Sequence, residues 1–332
     1  VSLPAALLAL AVSGGLGAAA VAAAPSPPSP RVKDAIGIVL LEAPENRMDD
    51  PRARIFIVDH VNPGTTFSRR LQITNSSPRR QRVKLYAAAA DIRQGRFAFA
   101  PGRTQNELTS WITLNRPAVN VPPHGSSQVT ATIRVPKPAT KGEQYGVIWA
   151  QVSTGRPNAR RNIALVNRVG IRVYLDVGPE GEPPSRFRIG EVVPQRLDDG
   201  RPSIAATVRN TGERALDLTG QLTLSDGPSG IRAGPYQIPP GTTLAPDQTG
   251  RVTVPLGDRL PDGPWKFQLT VQSGRITHTV SGSLAFPANR GRGRPATLDS
   301  SMTTLLALTA LMALAGAGTL FVVARRQRPA AR

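Results

Sequence analysis

Cysteine is absent from this 332-residue chain. No disulfide can staple its fold, and thiolate nucleophiles and thiolate metal sites are excluded. Histidine is almost absent as well: His60, His124 and His278 stand far apart, in no metal-ligand spacing such as HExxH. Aromatic residues make up 5% of the chain, too few for a broad sugar-stacking platform. Lysine is limited to Lys33, Lys84, Lys137, Lys141 and Lys266, so the net charge of +19 comes from arginine. There is no GxSxG elbow, Walker A loop, GxGxxG fingerprint or SxxK pair. The expectation is a protein that is not an enzyme and has no cofactor or metal.

What remains is a β pattern. Hydrophobic residues reach 40%, enough for a real core, while 32 prolines and 31 glycines are scattered without a repeat. That suits many short strands joined by turns. Alternating runs recur at Ala53–Val61, Phe67–Asn75, Arg82–Tyr86, Val129–Val135, Gln144–Val152, Ile204–Val208, Arg251–Val254 and Lys266–Val271. In the stretch Ile163–Val177, Ile171, Val173, Leu175 and Val177 share one parity, while Arg168, Arg172 and Asp176 take the other. Tyr145 and Trp149 share parity with Val147 and are expected to face the core. Ile148, Ala150 and Val152 on the opposite face are also apolar, so this strand reads either as central and covered on both sides or as part of a partner-binding surface.

The proline-rich segment from Gly178 to Ser185 divides the pattern into 34–178 and 185–287. The halves resemble each other. LQITN, ending at Asn75, and ATVRN, ending at Asn210, each lead through a polar turn to a new strand. Gly142 with Tyr145 and Gly263 with Trp265 open a late strand in each. The expected fold is all-β, two tandem Ig-like β-sandwich domains.

Both ends are apolar. Residues 1–24 are Ala-rich and close on Ala22-Ala23-Ala24, the form of a secretory signal peptide, and 25–33 is a Pro-rich linker. The run 302–324 carries no charge and is long enough for one transmembrane helix. Arg325, Arg326 and Arg328 follow, and the positive-inside rule places this tail, 325–332, in the cytoplasm. The expected location is therefore the cell membrane, single-pass, with an extracellular ectodomain. Residues 288–301, including the RGRGR run 290–294, read as a juxtamembrane stalk and not as a nucleic-acid site.

Asp59 and His60 are neighbours, but adjacent strand residues point to opposite faces and cannot readily share one task. Asp49-Asp50 and Asp198-Asp199 fit turn chemistry. The candidate ligand-binding residues are Arg69, Arg70, Arg79, Arg80 and Arg82, clustered around the Asn75 turn. They suit an anionic partner such as a wall polymer, or read as a solvated edge.

A set of short motifs in order carries a resemblance. IGIVLLEAP (36–44), DPRAR (50–54), IVDHVNPG (57–64), LQITN (71–75), LYAAAAD (85–91), NELTSWI (106–112) and GEQYGVIW (142–149) are its parts. Together they resemble the peptidoglycan-binding domain of the WxL-interacting protein family, in its high-GC Gram-positive form, over about residues 36–155. The resemblance implies a first domain that binds peptidoglycan, a second Ig-like domain that binds another surface protein, and a C-terminal anchor. Residues 185–287 depart from the family's usual second domain. A different reading of the same pattern is an adhesin or assembly scaffold that binds proteins by exposed strand edges, without direct wall binding.

Overall fold

The computed structural model describes residues 36–154, 165–257 and 260–299. The expected signal peptide, membrane span and basic tail with Arg325, Arg326 and Arg328 lie outside the described residues. Among those described, no helix is long and apolar enough to cross a membrane.

The first sandwich is built from β1 (Ile36–Leu40), β2 (Ile57–Val61), β3 (Thr66–Asn75), β4 (Gln81–Arg93), β5 (Arg96–Phe99), β6 (Ile112–Leu114), β7 (Ala118–Val121), β8 (Ser126–Arg134), β9 (Gly142–Thr154) and β10 (Leu165–Val177). One sheet has the order β1-β3-β8-β6; the other has β2-β10-β9-β4-β5, with β7 also on β4. All pairs are antiparallel except β2 with β10. Between the sheets lie Leu71, Ile73, Ala131, Ile133, Ile148, Ala150, Ile171 and Val173, all nearly sealed from solvent. Alternation explains this: in β3 and β8 every second residue turns inward.

Two expectations change here. The strand expected at Ala53–Val61 begins only at Ile57, because Asp50-Pro51 starts a set of turns. The Asp50 carboxylate accepts the Arg52 N–H at 2.9 Å, and Phe56 N–H bonds back to the Arg52 carbonyl. Tyr145, Val147 and Trp149 do not face the space between the sheets, which Ile148, Ala150 and Val152 take instead. Strand β9 is nevertheless central, between β10 and β4, and is buried on both faces over 146–150.

The second sandwich comprises β11 (Phe187–Arg196), β12 (Pro202–Asn210), β13 (Leu216–Asp217), β14 (Thr219–Ser225), β15 (Ala233–Gln237), β16 (Thr243–Leu244), β17 (Thr249–Pro255), β18 (Trp265–Ser273), β19 (Ile276–Leu284), β20 (Gly291–Arg292) and β21 (Thr297–Leu298). Its two main sheets run β17-β12-β11-β20 and β15-β14-β18-β19-β21, around one core centred on Trp265, Leu222, Leu269, Ile204 and Val208. The expected stalk is not free chain over its described part. Gly291–Arg292 pairs with Gln195–Arg196 and Thr297–Leu298 with Gly282–Ser283, so unpaired backbone groups at two sheet edges are satisfied by 288–299.

The internal likeness holds at atomic scale. The Asn75 amide donates to the carbonyls of Arg79 (2.7 Å) and Pro122 (2.9 Å), and its oxygen accepts the Ser77 N–H at 3.0 Å. The Asn210 amide donates to Arg214 (2.8 Å) and Leu244 (3.1 Å), and its oxygen accepts the Gly212 N–H at 3.0 Å. Each buried asparagine thus pins its own turn to the segment that precedes a later strand.

Candidate binding surfaces

The five candidate arginines divide into two groups. Arg69 is mostly buried, bonds Asp59 at 2.6 Å and lies over the Phe67 ring at 4.9 Å. Burial pushes the Asp59 carboxyl up, against the pull of Arg69. Arg70 grips Glu42 through its Nε at 2.9 Å and its backbone N–H at 3.1 Å, and holds that carboxyl below its usual range. These two arginines tie β3 to its own sandwich. Arg79, Arg80 and Arg82 are exposed.

Asp59 and His60 take separate partners, as opposed faces require: Asp59 has Arg69, and His60 Nδ1 lies 2.5 Å from the buried Asp176 carboxylate. Asp49 meets Arg275, while Asp199 accepts the Arg201 N–H within its turn.

Sequence reading missed the junction of the two sandwiches. There, two carboxylates are exchanged. Asp217 of the second sandwich accepts Arg52 Nε (3.0 Å), Arg172 Nη1 (3.0 Å), Tyr174 OH (2.9 Å) and Thr243 Oγ1 (2.7 Å). Arg52 also donates to the Ala215 carbonyl at 2.9 Å. In return, Glu143 of the first sandwich accepts Arg214 Nε (3.2 Å), the Ala215 N–H (2.5 Å) and Tyr145 OH (3.0 Å). Glu182, in the connecting segment, bridges Arg47 and Arg214. Burial, followed by the adjoining carboxylate, raises the phenols of Tyr145 and Tyr174 far above their ordinary value, so both stay protonated donors. Burial opposes the charge on Arg52, but Asp217 outweighs it and holds the guanidinium charged. A mostly buried carboxylate with four donors is well compensated, which an isolated buried pair seldom is.

An aromatic ladder runs from this junction along the outer face of the six-stranded sheet. Phe97 contacts Tyr174 (5.1 Å) and Tyr145 (6.2 Å), and Phe99 meets Trp149 edge-on at 4.8 Å. Arginines cap it: Arg172 over Phe97 (4.8 Å), Arg168 over Trp149 (4.4 Å) and Arg103 over Tyr86 (4.4 Å). Gly170 is required, since a Cβ there would come within 2.7 Å of the Trp149 and Val147 side chains. Beside the ladder, a cleft of about 650 Å³ is lined by Phe99, Pro101, Asn106, Glu107, Glu143 and Tyr145.

No family model matches the chain, and no curated protein does. Among solved structures it is similar to the CupB2 chaperone of Pseudomonas aeruginosa, at 10% identity over 70% of this chain and 97% of that one, with a TM-score of 0.33. The E. coli chaperone DraB is similar at 12% identity over 68% and 94%, with a TM-score of 0.36. A chain of the Salmonella enterica SafA pilin–SafB chaperone complex gives 11% identity over 74% and 94%, with a TM-score of 0.36.

Proposed function

We propose that this chain is a non-enzymatic binding scaffold at the cell surface, which holds two sandwiches in one fixed arrangement and offers strand edges to other surface proteins. The observation that carries this reading is the exchanged pair of carboxylates. Asp217 and Glu143 each draw donors from the opposite sandwich, and parting the domains would strand Arg52 and Arg214, 9% and 1% exposed. Such a joint favours a partner that reads both domains together. The surface location rests on sequence alone, through the charge-free run 302–324 and the arginines after it.

The edge best suited to pairing is β1, which among the described residues has β3 on one side only. Its sequence, IGIVL, holds neither charge nor proline, and Val39 is 52% exposed, so it lacks the usual guards of an edge strand. A partner strand added there would gain main-chain hydrogen bonds. The test is retention of surface proteins on the immobilised full chain. The expected result is retention that resists salt and is lost in Val39→Lys; unchanged retention in that variant contradicts the edge reading.

A second reading, binding of peptidoglycan or another anionic wall polymer by the first sandwich, is favoured by one observation. Arg79, Arg80 and Arg82 are exposed and meet no carboxylate among the described residues. Salt-sensitive retention on isolated sacculi tests it, and retention that ignores salt, or none, counts against it.

A further inference from the structure

The carboxylates of β4, β9 and β10 are segregated. Between Asp59 and Asp91 there is none, and none stands between Glu107 and Glu143 or between Glu143 and Asp176. Asp91 lies at the end of β4, Glu143 at the start of β9 and Asp176 at the end of β10, with Asp176 directly opposite Glu143. All three therefore sit at the junction end of the sheet. The other end of the same three strands carries Arg82, Lys84 and Arg168.

Register places these cations on one face. Lys84 and Arg168 both pair with Gln151 across β9, and Arg82 is two residues before Lys84 on β4. At ordinary strand spacings this puts Lys84 and Arg168 about 10 Å apart and Arg82 and Lys84 about 7 Å apart. All three are exposed, and none is paired with a carboxylate among the described residues.

We infer that this distal outer face of the six-stranded sheet binds a linear anionic glycan-type polymer bearing repeated oxyanions, phosphodiester or carboxylate. The inference rests on the wall-polymer reading and gives it a surface and a ligand chemistry. Two features favour a hydrated polymer over a folded protein. Protein interfaces need an apolar centre, whereas here the rings are shut away: Trp149 is 5% and Tyr86 8% exposed, beneath Arg168 and Arg103. The charges also form a spaced array and do not converge on one point, which matches a repeating anion and not a compact one.

The test titrates the full chain with long-chain inorganic polyphosphate and, in a second arm, with polygalacturonate. The triple variant Arg82→Ser, Lys84→Ser, Arg168→Ser is compared with Arg188→Ser, Arg232→Ser, Arg251→Ser, which removes equal charge from exposed positions of the second sandwich. The expected result is binding in at least one arm, weakened about tenfold or more by the first triple, with a shallower salt dependence, and much less by the second. Binding in one arm alone assigns the oxyanion. Equal weakening by both triples, or tighter binding of polyglutamate or duplex DNA than of either polymer, overturns the inference while sacculus binding stands. No polymer binding by the unaltered chain, together with no sacculus retention, removes both. Salt-resistant retention of protein partners is unmoved by the first triple in every case.

Discussion

The two sandwiches share a staple and differ in how they spend their charge. Asn75 and Asn210 make the same three-way connection, yet the second sandwich pairs arginine with carboxylate along its surface, as in Arg201–Asp199 and Arg196–Asp262. In the first, β4, β9 and β10 carry Asp91, Glu143 and Asp176 toward the junction, and β4 and β10 are cationic at their distal ends. The late aromatics differ too. Trp265 is 1% exposed in the second core and bonds the Pro261 carbonyl at 3.0 Å, whereas Tyr145 faces outward and bonds Glu143. A duplicated frame thus keeps the turn chemistry that folding needs and lets its outer faces diverge.

The largest predicted effect lies at the joint. Asp217→Ala leaves Arg52 and Arg172 without their shared carboxylate and should cost about 3–5 kcal/mol in urea unfolding. Arg209→Ala, which loses the exposed 3.9 Å contact to Asp247, should stay within about 0.5 kcal/mol. Next come the staples. Asn75→Ala and Asn210→Ala should each cost about 1–3 kcal/mol, because buried backbone carbonyls and an N–H lose their partners. A large cost at one and none at the other would break the equivalence of the sandwiches.

Gly170→Ala should cost about 1–3 kcal/mol by forcing Trp149 from its place, visible as a shift in tryptophan emission. The second sandwich's counterpart is Gly227→Ala, where a Cβ would meet the Trp265 ring at 2.3 Å. The smallest effect is that of acid. Burial pushes the Glu182 carboxyl up, but Arg47 and Arg214 outweigh it and hold it below the usual 4.5. A lowered carboxylate contributes stability that is whole above its unfolded value and is lost as pH falls through its folded one. At about one-third exposure, solvent screening limits this to roughly 0.5 kcal/mol. Glu182→Gln should therefore flatten the decline in thermal midpoint below the ordinary glutamate range; an unchanged decline would remove Glu182 from the joint.

The fold was largely legible because period-two alternation and Gly/Pro turns leave a direct trace in sequence, as in β3, β8 and β10. The joint was not. Asp217 and Arg172 are 45 residues apart, and nothing local distinguishes either from a solvated surface residue. Parity showed that Tyr145 and Trp149 share a face, but both faces of β9 are apolar, so parity could not say which one lies between the sheets. Of the candidate arginines, Arg69 and Arg70 gave no hint of their internal partners, since Asp59 and Glu42 meet them only through tertiary packing.

The fixed arrangement of the two sandwiches is the claim on which the rest stands, and the absence of cysteine makes it directly measurable. Spin labels at Arg80→Cys and Arg251→Cys, both exposed, report the distance between the domains by pulsed dipolar spectroscopy. A single narrow distance that broadens when Asp217→Ala is added is the predicted result. A broad distribution in the labelled chain without Asp217→Ala would contradict the rigid joint.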